Sequence, residues 1–289
     1  MRIAVVAELS KLKIAAVNKL SESQSPGQEA SPVEERWFVL DGHRMRYLRG
    51  GSGPPLLLLH GLLGYSFSWR FALPLLAEKA TVYAVDMPGV GFSDRPPNAG
   101  GSLRAHAERL LRFMDGVGIA PCNLLGTSHG GAVAMMTASL APERVRSLIL
   151  VAPVNPWSAH GRRLAPFLSS ALVSWLLLRL EPCLGMVHDT LLRRLYGDPR
   201  RISPGTLAGY SEPFRIPGTL NYGLGVVRSW NRDLEELESL LPRISHCTSL
   251  LPCGSKDSAL SPAPAEELQQ HFIACQLAHF DVVTMLPSA

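Results

Sequence analysis

A serine flanked by small residues occurs in the run Gly126-Thr127-Ser128-His129-Gly130. The pattern G-x-S-x-G places a hydroxyl on a sharp turn between a strand and a helix, and an apolar run precedes it while a small-residue segment follows it. Glycines are required on both sides because larger side chains would collide with the neighbouring strand and helix. The start of the following helix supplies positive potential for a developing oxyanion. Ser128 is therefore the candidate nucleophile, and an ordinary strand-to-helix turn is the alternative interpretation.

A second glycine-containing loop, His60-Gly61-Leu62-Leu63-Gly64, follows four consecutive leucines. Glycine at this point lets a backbone N–H turn towards the serine, so the N–H groups of Leu62 and His129 are predicted to form an oxyanion hole. His60 is interpreted as a hydrogen-bonded loop former rather than a base. The predicted lining of a substrate pocket is His60, Gly61, Trp157 and Trp175.

A third motif, Asp86-Met87-Pro88-Gly89-Val90-Gly91-Phe92-Ser93-Asp94, follows the next predicted strand, and Asp86 is interpreted as structural. The three motifs in this order resemble the α/β-hydrolase superfamily, in its cap-bearing single-domain branch, over roughly residues 37–287. Ser128 takes the family's nucleophile position. This argues against the haloalkane dehalogenase and epoxide hydrolase branches, in which an aspartate stands there.

The resemblance implies two further catalytic residues. The family's acid follows the strand after the cap, which makes Asp257 the implied orienting acid, with a simple polar turn as the alternative. The family's histidine base falls on Met285, whose thioether cannot accept the serine proton. His279 is the nearest substitute, but it lies six residues upstream, a distance of about 20 Å along an extended chain.

Two functions follow from these residues. The first is a serine hydrolase of the esterase type, in which Ser128 attacks a hydrophobic acyl ester and no cofactor or metal is needed. The second is a catalytically impaired protein of the same fold that binds an apolar small molecule or a partner, and the methionine at position 285 favours it. The oligomeric state does not follow from the sequence.

The elements that must position these residues alternate between strand and helix. Apolar runs at residues 56–59, 81–85, 123–125, 147–151, 249–251 and 276–280 predict strands, and helices are predicted at 67–79, 103–117, 130–140 and 264–272. A hairpin around Asp41-Gly42 precedes them. The predicted fold class is α/β, an α/β-hydrolase fold with a mostly parallel central sheet flanked by helices and an inserted helical cap.

Composition excludes several classes of protein. Hydrophobic residues make up 46% and charged residues 18%, which excludes intrinsic disorder as the main state. A net charge of +4 without clustering argues against a nucleic-acid partner. The five cysteines have no C-x-x-C spacing, so reduced, mostly buried thiols and a cytoplasmic location are expected.

The predicted domain organisation has four parts. Residues 1–33 form an amphipathic helix and a flexible linker, and this helix could rest on a membrane surface or on its own protein. The hydrolase core occupies 34–154 and 243–289, its second part predicted to be truncated, and the helical cap occupies 155–242. The uncharged run Leu164–Leu178 is predicted to be a buried cap helix rather than a transmembrane helix, because it is too short to span a bilayer and contains Pro166.

Overall fold

A computed structural model describes residues 33–97, 99–180, 189–190, 192–193, 196, 200, 202–254 and 263–280, of which His160 and Phe280 are described by their backbone alone. Its centre is one eight-stranded sheet in the order β1-β2-β4-β3-β5-β6-β7-β8. The strands are β1 (Glu34–Leu40), β2 (His43–Gly50), β3 (Pro55–Leu59), β4 (Thr81–Val85), β5 (Cys122–Ser128), β6 (Val145–Pro153), β7 (Thr248–Gly254) and β8 (Cys275–Phe280). The helices are α1 (Ala72–Ala77), α2 (Leu103–Val117), α3 (His129–Leu140), α4 (Ala159–Ser169), α5 (Ala171–Arg179), α6 (Thr206–Ser211), α7 (Thr219–Leu240) and α8 (Ala263–Gln269).

The sheet confirms the predicted fold class. Strand β2 pairs antiparallel with β1 and with β4, whereas every pair from β4 onward is parallel. The predicted hairpin turn is present, with φ angles of 52° at Asp41 and 78° at Gly42. The six predicted strands are confirmed, each one to four residues longer than the apolar run that marked it, except β4, which has the predicted bounds.

Strand β3 divides the core in two. Its leucines are buried and alternate between the two faces of the sheet, so Leu57 and Leu59 join the larger cluster while Leu56 and Leu58 join the smaller one. The larger cluster packs against α2, α3 and α7, and the smaller one against α1. A continuous apolar run therefore forms this strand because both faces are covered.

Helix α2 has the bounds predicted from its hydrophobic period. Its buried stripe includes Leu103, Ala107, Leu110 and Met114. Ser102 caps the first turn, since its side chain accepts a hydrogen bond from Ala105 N–H at 3.2 Å. Gly118 ends the helix with a left-handed φ of 73°.

One predicted helix is wrong. The segment 67–79 is split into a 3₁₀ turn, Ser66–Trp69, and the short helix α1. Pro74 explains the split, because proline lacks the N–H that would bond to Arg70 in a continuous helix. It is tolerated only in the first turn of α1, where that N–H needs no partner.

The prediction of a single buried helix over Leu164–Leu178 is also wrong. The segment forms parts of α4 and α5, which meet at Ser170, where the backbone is extended. Its side chains are not generally buried, since Phe167 is 62% and Leu172 74% exposed. No helix in the described part of the chain combines the length and apolarity needed to cross a bilayer. The helix predicted in residues 1–20 lies outside the described residues.

Candidate active site

Ser128 occupies a strained turn between β5 and α3. Its backbone angles are φ 51° and ψ −122°, which a residue with a side chain rarely adopts. Such a conformation costs on the order of 1–3 kcal/mol and persists only where the surroundings enforce it. One restraint is a hydrogen bond of 2.9 Å from Val154 N–H to the Ser128 carbonyl oxygen. The side chain remains partly exposed.

The glycines around Ser128 allow a close approach of backbone to backbone. A Cβ added to Gly126 would lie 2.3 Å from the Gly130 carbonyl oxygen, and one added to Gly130 would lie 2.3 Å from the carbonyl oxygen of Leu59. Both distances are shorter than van der Waals contact allows. The start of α3 can therefore approach β3 and β5 only when these positions lack side chains.

The loop after β3 reaches the serine. A Cβ added to Gly61 would lie 3.4 Å from Ser128 Cβ and 3.8 Å from its Oγ. The loop turns at Leu63, which has a left-handed φ of 56°. His129 is the first residue of α3, where a backbone N–H has no partner within the helix. The structure thus brings the loop that contains Leu62 beside Ser128 and the first amide of α3.

His60 holds two loops together. In the neutral ring, Nδ1–H donates to the Gly61 carbonyl oxygen at 2.9 Å, and Nε2 accepts from Met87 N–H at 3.2 Å. Both nitrogens are therefore used, and the side chain is only 6% exposed. These contacts fit the interpretation of His60 as a loop former.

The His129 ring packs inside the protein among residues that the motif analysis missed. It stacks on Trp230 with ring centroids 5.8 Å apart, and its neighbour His106 lies edge-on with centroids 5.3 Å apart. His106 in turn contacts Ser102 O through Nδ1 at 2.7 Å and is hydrogen-bonded to the Tyr222 hydroxyl through Nε2. A signal for His106 existed in the sequence, because it falls on the buried stripe of α2, three residues after Leu103.

Burial keeps these three histidines neutral. Loss of solvation lowers the pKa of His129 to about 4, and repulsion from His60 adds to the effect. Burial also lowers the pKa of His60, and it lowers that of His106 well below its ordinary value, with repulsion from His129 as a second cause. The interior beside Ser128 is therefore polar but uncharged at neutral pH.

Asp86 connects the loops that follow β3 and β4 from inside the protein. Its fully buried carboxylate accepts from Ser66 N–H at 2.7 Å, from Phe92 N–H at 3.0 Å and from the Arg46 guanidinium at 3.2 Å. All acceptor capacity is directed to the protein itself. This arrangement agrees with a structural role for Asp86.

One cavity collects part of the predicted site. His60, Gly61, Leu62 and His129 all contribute to its lining, which is otherwise mainly apolar. The two tryptophans predicted to line the pocket are absent from this lining. Trp157 stacks on His271 with centroids 4.8 Å apart, and Trp175 points outward, 55% exposed.

The predicted base is not brought to Ser128 in the described part of the chain. His279 is exposed and pairs with Cys253 in the edge strand β8. That strand is three places from β5 in the sheet, about 14 Å at the usual strand spacing. Asp257 and Met285 lie outside the described residues, so their roles stay predictions. Within the described part of the chain, no three His, Cys, Asp or Glu side chains lie close enough together to hold a metal ion.

Comparison with known proteins assigns this architecture to a family. The profile of the family described as alpha/beta hydrolase fold matches residues 54–196, which include the loop after β3, the Asp86 loop and the Ser128 turn. The chain belongs to the α/β-hydrolase superfamily. The resemblance inferred from the three motifs is thereby confirmed.

This α/β hydrolase is similar to several characterised chains. It is 42% identical over 130 residues to the dihydrolipoyllysine-residue acetyltransferase component of the acetoin cleaving system of Cupriavidus necator, covering 45% of this chain and 34% of that protein. It is 33% identical over 182 residues to haloalkane dehalogenase 2 of Mycobacterium tuberculosis, covering 63% and 59%. The matched segment thus spans about a third to three fifths of these relatives.

The solved structure of haloalkane dehalogenase DatA from Agrobacterium tumefaciens shares the fold. It superimposes with a TM-score of 0.74 at 20% sequence identity, covering 86% of this chain and 88% of that one. At this identity the likeness concerns the fold alone.

Proposed function

We propose that this protein is a serine hydrolase that cleaves hydrophobic acyl esters through an acyl-serine intermediate. The observation that carries the proposal is the backbone of Ser128, at φ 51° and ψ −122°, directly before α3 and facing Gly61. A strained turn that presents a hydroxyl beside the loop after β3 and the first amide of a helix serves attack on a carbonyl group. No cofactor or metal is part of this proposal, and the predicted cytoplasmic location belongs to it.

The reaction would proceed in two halves. Ser128 Oγ attacks the ester carbonyl carbon while a base takes its proton, and the N–H groups of Leu62 and His129 stabilise the negative oxygen. The tetrahedral intermediate expels the alcohol, which receives the proton. Water then attacks the acyl-serine ester by the same route and releases the acid. Asp257 is the proposed orienting acid.

Serine chemistry also separates this proposal from dehalogenation. If Ser128 displaced a halide from an alkyl carbon, the product would be an alkyl serine ether, which has no carbonyl for water to attack. The enzyme would stop after one turnover. An acyl substrate avoids this because its serine ester contains a carbonyl next to the oxyanion donors.

Apolar side chains around the cavity favour a hydrophobic substrate. The cavity beside Gly61 is lined by Leu62, Leu63, Met87, Val133 and Val226 among others. Ser128 is not part of this lining, so the cavity supports the apolar character of the surroundings of the serine turn rather than a complete substrate site.

A fluorophosphonate probe tests the proposal, together with turnover of short p-nitrophenyl esters. We expect the wild type to be labelled at Ser128 and the Ser128→Ala variant to lose both labelling and turnover. Removing one triad member in such enzymes leaves only about 10³–10⁴-fold acceleration over water. Labelling that persists in Ser128→Ala would exclude Ser128 as the nucleophile.

The second candidate is a binding protein with an impaired site. It is favoured by the histidines near Ser128, because His60 and His106 use both ring nitrogens within the protein. In this case the wild type is inert, whereas Met285→His gains labelling and turnover. Loss of a fast wild-type activity in His279→Ala would instead identify His279 as the base.

A further inference from the structure

The outward faces of α4 and α5 leave large apolar side chains in water. The other long helices, α2, α3 and α7, have none of the exposed large apolar side chains of the described chain, so this exposure marks a candidate interaction surface. We call the following group the apolar patch: Leu164, Phe167, Leu172, Trp175, Leu176 and Leu180, which are exposed by 42%, 62%, 74%, 55%, 46% and 44%.

The two helices hold the apolar patch in a fixed orientation. Their inner sides pack on α7, where Gly161 lies so close to Trp230 that an added Cβ would be 2.5 Å from the ring. Pro166 frees the Arg162 carbonyl oxygen from the helix, and the Asn231 side chain on α7 donates to it at 3.5 Å. Ala165 and Ser174 are buried on the inner side. The apolar patch is therefore the face left over after the helices have packed.

The charged residues of the two helices that carry the apolar patch are all positive, and Glu181 follows Leu180 in the sequence. From Ala159 to Leu180 the sequence contains three arginines and no aspartate or glutamate. Arg163 and Arg179 are exposed, Arg162 is half-buried, and the Arg179 guanidinium lies 5.5 Å from the centre of the Trp175 ring. Apolar side chains with tryptophan and arginine at their margin are the composition of a helix that lies in a membrane interface.

We propose that the apolar patch docks this protein onto the surface of an anionic lipid bilayer. The apolar side chains would enter the headgroup region, and the arginines would contact lipid phosphates. A second copy of the chain fits less well, because a two-fold interface brings the same patch against itself and would place these arginines near one another. The inference does not depend on Ser128.

Vesicle co-sedimentation of the full chain tests this docking. The probes are vesicles of phosphatidylcholine alone and of phosphatidylcholine mixed with phosphatidylglycerol. We expect the wild type to bind the mixed vesicles at least tenfold more tightly than the neutral ones, and added salt to weaken that binding. The double variant Leu172→Ser with Trp175→Ser should lose binding at least tenfold. The triple variant Arg162→Gln, Arg163→Gln and Arg179→Gln should remove the preference for the anionic lipid.

Ile273→Ser provides the matched control, since Ile273 is 72% exposed but lies in the turn before β8. It should bind vesicles like the wild type. Absence of vesicle binding by the wild type would overturn the proposal, as would undiminished binding by the Leu172 and Trp175 double variant, which would assign the contact to another segment. A wild-type dimer that this double variant converts to a monomer in sedimentation velocity would assign the patch to a second copy.

Discussion

At the scale of single residues, the serine turn depends on what its neighbours lack. Gly126 and Gly130 lie where backbone carbonyl groups approach within 2.3 Å of a hypothetical Cβ. These close contacts and the hydrogen bond from Val154 N–H hold the strained backbone of Ser128 in place. The G-x-S-x-G spacing is thus a steric requirement as well as a chemical one.

We expect Gly130→Ala to destabilise the fold by about 1–3 kcal/mol, because the new methyl group would overlap the carbonyl oxygens of Leu59 and His60. Urea unfolding measures this change. The matched control is Gly225→Ala in α7, where an added Cβ meets nothing within 4 Å and alanine should stabilise the helix by up to about 1 kcal/mol. Equal effects of the two substitutions would contradict the steric explanation.

At the scale of elements, the loops at the carboxyl ends of β3 and β4 are joined from the interior. Asp86 bonds to the 3₁₀ turn that follows β3, to its own loop and to Arg46 in β2. His60 adds a bond from the β3 loop to Met87. The position of Gly61 beside Ser128 therefore relies on a buried carboxylate that never touches it.

Removing this carboxylate should cost much more than removing a surface one. We expect Asp86→Ala to destabilise the protein by about 2–5 kcal/mol, because it leaves the amides of Ser66 and Phe92 without their acceptor and removes one of the two carboxylates that pair with Arg46. Asp115→Ala is the control. Its ion pair with Arg144 lies at the surface and should contribute at most about 1 kcal/mol. Chemical denaturation of both variants gives the comparison, and similar losses would refute a structural role for Asp86.

At the scale of the whole molecule, three neutral histidines meet where the β3 loop, α2 and α3 pack together. Their folded-state pKa values lie below the usual 6.5, with that of His129 at about 4. As the pH falls below 6.5, the unfolded chain takes up protons before the folded one does. The contribution of these histidines to the free energy of unfolding should therefore be greatest above pH 7 and should decline between about pH 6.5 and 4.

For His129 alone, the expected loss between pH 7.5 and pH 5 is about 2 kcal/mol. Urea unfolding at the two pH values measures it. His129→Gln should reduce the pH dependence, whereas His279→Gln, which changes an exposed ring, should leave it unaltered. A stability that is level down to pH 5 would show that these rings are not held neutral.

Much of the core was predictable because its signals are local. The period of Leu103–Val117 gave the bounds of α2, and the leucine run at 56–59 gave β3, since both depend on residues a few positions apart. Pro74 is also a local signal, and it marks the place where the predicted helix over 67–79 is split. The exposure of Trp175 had no local signal, because a segment without a polar side does not indicate which side will pack against the rest of the protein.

By itself, the sequence determined the order of strands and helices, the nucleophile candidate and the glycines that make room for it, because turn sterics and hydrophobic periods act over a few residues. Only the tertiary structure decided which distant side chains meet. Tyr222 and Trp230 reach His106 and His129 through the packing of α7 on α2 and α3. The same packing turns one side of α4 and α5 outward, and no short stretch of sequence encodes contacts between segments a hundred residues apart.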